Sequence, residues 1–478
     1  WVRYGRTTQV TVEMTLPDQT IRYVAAEIEV RDLLIAGLGD SIASGEGDPD
    51  RPIKLSDDGF CFRRTLARSS SEYFRPGRAG FRGARACGSG TEITRVDGEW
   101  SRFGAGWISP ACHRSLYGYQ MRTALEIAVE YPHTAVTFIP LGCSGASIES
   151  GLLGEQRATD VDCGGTSASC SATAPGQIAE LRDALALARR SRPERDLDLV
   201  LLTVGANDIG FSGLVANVII ERGAERVLFE RAGRIASVED AQMLLATELP
   251  TRFARLRAAL KPLVGGDLAR VVYVSYGHPA LHSGGLPCPG GRAGFDIHPA
   301  FTVDAGRLRQ TADFVSDEFF PRLKALASCE SPILCDEPAT DRMLFVDAHQ
   351  RAFSDHGFCA HSDADPDFDK ACFSDTGQSF QQNLAEAATD PLVCDREAEE
   401  FRPYASRGRW IRTANDSYFS AMTYPLGLPR LVQPSDIHDA IWGITSALYG
   451  GAVHPTGQGY AAMADAALPA ARKVLKLP

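Results

Sequence analysis

The chain of 478 residues is predicted to adopt an α/β fold, with a parallel sheet covered by helices on both faces. Three observations predict it. Short continuous apolar runs recur along the sequence, several end abruptly in Gly-containing turns, and the stretches between them carry helical periodicity. Apolar residues make up 44% of the chain, enough for an ordinary globular core.

Taken in order, the first element is a hairpin. Residues 8–30 alternate, with Val10, Val12, Met14 and Leu16 in one run. Pro17-Asp18 makes the turn, and Ile21, Tyr23 and Ala25 start a second run that continues through Ile28 and Val30. Residues 1–30 are expected to be this hairpin or the remnant of a β-domain. Residues 31–478 are expected to form the main domain. The run Leu33-Leu34-Ile35-Ala36 enters Gly37-Leu38-Gly39-Asp40-Ser41, as a buried strand enters a tight turn. Further buried strands are expected over 135–141, 197–204, 271–275 and 343–346. The first of these is followed by Gly142-Cys143-Ser144-Gly145 and the second by Gly205-Ala206-Asn207-Asp208. Ile178, Leu181 and Leu185 mark one helical face, longer helices are expected over 241–264 and 305–327, and a last one over 458–474. Residues 46–110, 282–300 and 355–440 are rich in Gly, Pro, Asp and Cys. They are expected to be cross-linked excursions around the site, with 355–440 as a cap.

Net charge is −11, which argues against a polyanion-binding surface, and no nucleic-acid partner is expected. No apolar run approaches the length of a membrane span, and a monomer is expected. Twelve cysteines without a CxxC pair fit a disulfide framework better than zinc ligation. A secreted or periplasmic protein follows as the expectation. No signal peptide is visible and the chain opens at Trp1, so a processed or trimmed start is expected. Close spacing makes Cys163–Cys170, Cys329–Cys335 and Cys359–Cys372 candidate disulfides, with Cys61–Cys87 a weaker one.

In parallel sheets, reactive groups collect at the carboxyl ends of the strands, and all three Gly-containing turns lie there. Ser41, directly after Gly39-Asp40, would project its hydroxyl at the sheet edge, with turn N–H groups pointing the same way. Gly145 would let a backbone N–H approach a reacting oxygen. The Asn207 amide could donate to a developing oxyanion. His454, in a loop ahead of the last helix, could act as general base.

These four segments, in this order, resemble the SGNH (GDSL) hydrolase family over about residues 31 to 470. The resemblance implies a flavodoxin-like three-layer α/β/α sandwich. It also implies Ser41 as nucleophile and oxyanion N–H, Gly145 as a second oxyanion N–H, Asn207 as oxyanion side chain and His454 as base. Cys112-His113-Arg114-Ser115 with Tyr117, and Cys143-Ser144-Gly145-Ala146, resemble segments of the family's secreted bacterial esterases and lipases, and imply a Cys112–Cys143 bond.

One departure stands out. Many family members place Asp three residues before the base, and here that residue is Gly451. A Ser-His dyad is therefore expected, with the Gly451 carbonyl accepting from His454 Nδ1. A carboxylate from Asp436 or Asp439 is the alternative.

Other groups weigh less. Asp363, Asp365, Asp367 and Asp369 alternate, but Pro366 breaks a calcium-loop pattern. His356 and His361 beside Cys359 make a weak zinc motif, and no metal or cofactor is expected. Asp347 and His349 follow a strand and are read as turn residues. His278 is read as structural or as a pocket wall, and Asp208 as a tie between turns. Glu46, Asp48 and Asp50 are expected to line the entrance.

The implied activity is carboxylic ester hydrolysis through an acyl-enzyme on Ser41. The expected substrate is a small-molecule, lipid or acylated-carbohydrate ester. A carbohydrate O-acetylesterase or acyltransferase using the same site is one alternative, and a non-catalytic binding protein on the same fold is another.

Overall fold

The computed structural model describes residues 2, 4–51, 62–63, 73–74, 105–162, 171–220, 223–291, 294–295, 301–331, 334–362, 408–414, 416–417 and 450–478. The first two strands, β1 (Thr7–Thr15) and β2 (Ile21–Glu29), pair antiparallel as the expected hairpin, in a register that sets Val12 opposite Val24. Most of their side chains are exposed.

The chain then enters the central sheet. Its strands are β3 (Arg31–Gly39), β4 (Thr134–Pro140), β5 (Leu199–Thr203), β6 (Val271–Val274) and β7 (Leu344–Val346). They lie in the order β7-β6-β5-β3-β4, and every neighbouring pair is parallel. Counting only these strands, the order is 5-4-3-1-2, that of the flavodoxin-like doubly wound sheet. The order reverses between β3 and β5. A crevice opens at such a switch point, beyond the carboxyl ends of those two strands.

The helices that matter for the core and the site are α1 (Ser41–Ser44), α2 (Tyr119–Glu130), α3 (Gln177–Arg189), α4 (Phe211–Ile219), α5 (Val238–Thr247), α6 (Leu249–Leu260), α7 (Ala305–Phe314), α8 (Phe320–Ser328) and α9 (Gly457–Leu475). The period-2 geometry of a strand splits β3 between two cores. Leu34, Ala36 and Leu38 join one core with Leu181 of α3, Phe253 of α6 and Leu323 of α8. Leu33 and Ile35 join the other with Tyr119 and Ile127 of α2 and with Tyr460 and Met463 of α9. Ile35 is wholly buried, and a side chain so placed contributes roughly 1.5–3 kcal/mol.

Two expected helices are broken. The stretch anticipated over 241–264 is α5 and α6, interrupted before Pro250, which has no N–H and sits in the first turn of α6. The stretch over 305–327 is α7 and α8 joined by a π-helical turn at Val315–Phe319, with Pro321 following.

Three disulfides lie among the described residues. Cys112–Cys143 and Cys329–Cys335 are two of the expected pairs. The third corrects the expectation for Cys359, which joins Cys288 and not Cys372. The reason is a long-range backbone pairing: the Gly357 N–H donates to Leu281 O (2.7 Å) and the Phe358 N–H to Pro279 O (2.8 Å), setting the two cysteine Cα atoms 5.7 Å apart. Cys61, Cys87, Cys163, Cys170 and Cys372 lie outside the described residues, as do Asp363, Asp365, Asp367 and Asp369. No helix among the described residues is long and apolar enough to cross a membrane.

Candidate active site

Ser41 is the first residue of α1, immediately beyond β3. The turn that delivers it demands glycine. Gly39 has φ +132°, and a Cβ there would collide with the carbonyl oxygen of Thr203 on β5. Gln177 of α3 clamps the same residue, accepting from the Gly39 N–H and donating to its carbonyl, each at 2.8 Å. Asp40 caps α1 by accepting from the Ile42 N–H at 3.0 Å, and Tyr276 O–H donates to its other oxygen at 2.5 Å. Burial raises the Asp40 carboxyl to about 7, against those hydrogen bonds. As the first residue of its helix, Ser41 has an N–H with no intrahelical acceptor.

The Gly145 turn follows β4 and is held from three sides. Cys143 N–H donates to Gly39 O (3.0 Å) and Ser144 N–H to Cys112 O (3.0 Å). The disulfide Cys112–Cys143 joins the same segments. The Arg114 guanidinium reaches the carbonyls of Gly142 (3.0 Å) and Leu141 (3.2 Å). Gly145 itself is exposed, with open space beside its Cα.

Asn207 follows β5, the strand next to β3. One hydrogen of its amide goes to Ala146 O at 2.8 Å, which fixes the side chain against the Gly145 turn and leaves the second hydrogen for another acceptor. Asp208 ties the two turns, as expected. Its carboxylate accepts from the Ile148 N–H at 3.1 Å and pairs with Arg252 at 3.1 Å. Burial raises this carboxyl to about 6, opposed by those contacts.

His454 stands in the loop before α9. Its Nε2 lies 2.7 Å from Ser41 Oγ, and its Nδ1 lies 2.9 Å from the carbonyl oxygen of Ala452. The carbonyl in hydrogen-bond contact with Nδ1 is thus one residue beyond the expected Gly451, whose carbonyl also favours the charged ring. The Gly451 carbonyl is taken by the backbone N–H of His454 at 3.1 Å, which closes a tight turn and directs the next carbonyl at the ring. With Nδ1 donating to Ala452, Nε2 carries the lone pair that faces Ser41. Burial lowers the His454 pKa below its ordinary 6.5, while the charge of Glu46 and the Ala452 carbonyl oppose the shift. The alternative carboxylates, Asp436 and Asp439, lie outside the described residues.

The acidic residues after Ser41 correct another expectation. Glu46 and Asp48 do not line an entrance; both are fully buried. Glu46 meets His113 Nδ1 at 2.8 Å, and that ring stacks on Trp107 with centroids 4.4 Å apart. Asp48 pairs with Arg412 at 3.1 Å. Asp50 accepts from Ser115 Oγ at 3.1 Å.

The groups weighed less sit away from Ser41. His349 Nε2 donates to Ser275 O (2.9 Å), and Asp347 pairs with Lys324 (3.1 Å). His356 stacks on Trp410 and its Nδ1 donates to Gly408 O (2.6 Å). His278 receives the Ala280 N–H on Nδ1 (3.2 Å) and faces Ala312 O with Nε2 (3.3 Å). Burial drives its pKa down to about 4, so the ring is neutral at pH 7. Among the described residues, no cluster of three or more His, Cys, Asp or Glu could hold a metal ion.

A pocket opens beside the His454 loop. Val453, Phe211, Val215, Phe295, Leu308 and His278 are among its walls, and its cavity volume is about 50 Å³.

The residues that pattern reading missed are Ala452, Arg412, Tyr276, Gln177 and the Glu46–His113 pair. Each acts through a contact with a residue distant in sequence or through its backbone, so no local motif marks it.

No family model matches the chain, and no curated protein matches its sequence. Among solved structures, it is similar to a phospholipase A1 from Streptomyces albidoflavus NA297, at 17% identity and TM-score 0.31, over 69% of this chain and 86% of that one. An extracellular lipase from Streptomyces rimosus matches at 17% identity and TM-score 0.31, over 69% of this chain and 88% of that one. An acetylxylan esterase from Geobacillus stearothermophilus, solved as a catalytic mutant, matches at 16% identity and TM-score 0.23, over 68% and 78% of the two chains.

Proposed function

We propose that this chain is a serine hydrolase of the SGNH type that cleaves carboxylic esters through an acyl-enzyme on Ser41. One observation carries the reading: His454 Nε2 stands 2.7 Å from Ser41 Oγ while its Nδ1 is engaged at 2.9 Å by Ala452 O. A nucleophile, a base within hydrogen-bond reach and a group orienting that base are the parts that nucleophilic catalysis requires. In the proposed reaction His454 Nε2 takes the Ser41 proton as Oγ adds to the ester carbonyl. The N–H groups of Ser41 and Gly145 and the second amide hydrogen of Asn207 meet the oxyanion. The imidazolium gives its proton to the departing alcohol. Water then repeats the sequence on the acyl-enzyme and releases the acid.

The pocket beside Val453 favours an aliphatic acyl chain over acetyl esters of sugars. Most of its walls are apolar side chains, with His278 and Thr311 among them, so it would gain from burying methylenes. We further read residues 31–478 as one hydrolase domain that carries the hairpin at its start. The three disulfides support an oxidising compartment, secreted or periplasmic.

The test is a fluorophosphonate probe with a panel of p-nitrophenyl esters of graded chain length. The expected result is labelling and turnover in the wild type and neither in Ser41→Ala. Turnover at the wild-type rate in Ser41→Ala would overturn the reading.

A further inference from the structure

The loop that carries His454 has few internal bonds, and its neighbours hold it. Residues 410–412 run alongside it. Val453 N–H donates to Arg412 O (2.8 Å), Arg412 N–H to His454 O (2.8 Å) and Thr456 N–H to Trp410 O (2.7 Å). The Arg412 backbone therefore grips the peptide on both sides of the His454 Cα. Its side chain turns the other way, into the nucleophile's side of the site. Arg412 Nη2 lies 3.1 Å from Asp48 Oδ1, with both side chains at 0% exposure. Asp48 belongs to the turn that closes α1: its N–H donates to Gly45 O (3.2 Å), and the Glu46 N–H donates to the Ser41 carbonyl (3.0 Å). One residue thus spans from the histidine's backbone to the serine's turn.

We infer that Arg412 is a positioning residue, which with Asp48 sets His454 at hydrogen-bonding distance from Ser41. This rests on the proposed roles of Ser41 and His454. A carbonyl orients an imidazole but holds it less firmly than a carboxylate does. In a dyad the placement of the base therefore depends more on the loop that bears it. Arg412 is the point where that loop and the nucleophile's turn are joined by a buried charge pair. Losing one partner of such a pair is costly, whereas replacing both with apolar residues of similar volume is often tolerated.

The experiment uses the full chain with three changes: Arg412→Lys, Arg412→Met, and Arg412→Met together with Asp48→Leu. Arg412→Lys keeps the charge but loses the planar fork that reaches Asp48. The double change removes the junction without leaving an unpaired charge. In each folded variant kcat for a p-nitrophenyl ester is expected to fall by on the order of 10- to 100-fold while KM stays within about twofold, as for a misplaced catalytic group. The proton shared by His454 Nδ1 and Ala452 O gives an independent readout by NMR. It should resonate far downfield in the wild type and broaden or disappear in the variants, whether or not any ester is turned over. That readout separates the two ideas: an inactive wild type with a variant-sensitive proton counts against the esterase reading alone. Folded variants with wild-type kcat and an unchanged His454 proton would overturn the role of Arg412.

Discussion

The Cα of Gly47 occupies the space into which a Cβ on Gly451 would project. Gly451 also has φ +80°, a backbone conformation that disfavours any side chain. The position at which the resemblance leads one to expect a triad acid is therefore closed here by the turn that follows Ser41. Gly451→Asp is expected to lower both the melting temperature and kcat. A thermal melt and a kinetic assay check this, and a variant that gains activity would show that the acid can be accommodated after all.

Asn207 stabilises an oxyanion if its second amide hydrogen is used in the transition state. Asn207→Ala should then lower kcat by on the order of 10²–10³ with little change in KM. The same change removes the bond to Ala146 O, so the melting temperature should be measured beside the kinetics. A rate loss below about threefold would remove Asn207 from the oxyanion site.

In the proposed reaction His454 must be neutral to accept the Ser41 proton. Burial lowers the His454 pKa below 6.5, so the ring stays neutral to a lower pH than a free histidine would. The acid limb of kcat/KM is expected to fall below pH 6.5, and a pH–rate profile with a non-ionising ester tests it. A limb at or above that value would contradict the described environment.

Asp40 couples stability to pH in the opposite sense from a paired carboxylate. Its pKa is raised from 3.8 to about 7 by burial. Between those values the native state keeps a proton that the unfolded chain has released, so stability falls as pH rises through this window. Asp208, raised to about 6, acts in the same direction. Asp40→Asn keeps an acceptor for the Ile42 N–H and removes the titration. Urea unfolding at pH 4, 5.5 and 7 should show a smaller decline in this variant than in the wild type. Parallel declines would place the titration elsewhere.

The apolar pocket beside Val453 makes a prediction about chain length. Val215→Trp fills part of it. The variant should lose kcat/KM on long p-nitrophenyl esters and keep it on acetate and butyrate. A uniform change across the series would detach this pocket from the acyl chain.

The sheet was legible because burial on both faces leaves near-continuous apolar runs, as at 197–204. The rim turns were legible because their constraints are local: Gly39 must clear Thr203, and Ser41 must follow Asp40. Distance in sequence hid the rest. Nothing near Arg412 announces Asp48, and nothing near Cys359 announces Cys288. The acidic residues after Ser41 were expected at the entrance because their partners, His113 for Glu46 and Arg412 for Asp48, lie in remote segments. Ala452 could not be told from Gly451, since which carbonyl faces the ring depends on turn geometry rather than on residue type.

The bond between Cys112 and Cys143 ties the oxyanion turn to the segment that also supports the nucleophile's loop. A chain made where thiols stay reduced is expected still to form its sheet, because Cys112 and Cys143 are two members of a large apolar core. Its Gly145 turn would keep the contacts of Arg114, Asn207 and Gln156 but lose its covalent tie. Preparations from a reducing cytoplasm should therefore look intact by circular dichroism yet turn over slowly, and oxidative refolding should recover the missing activity.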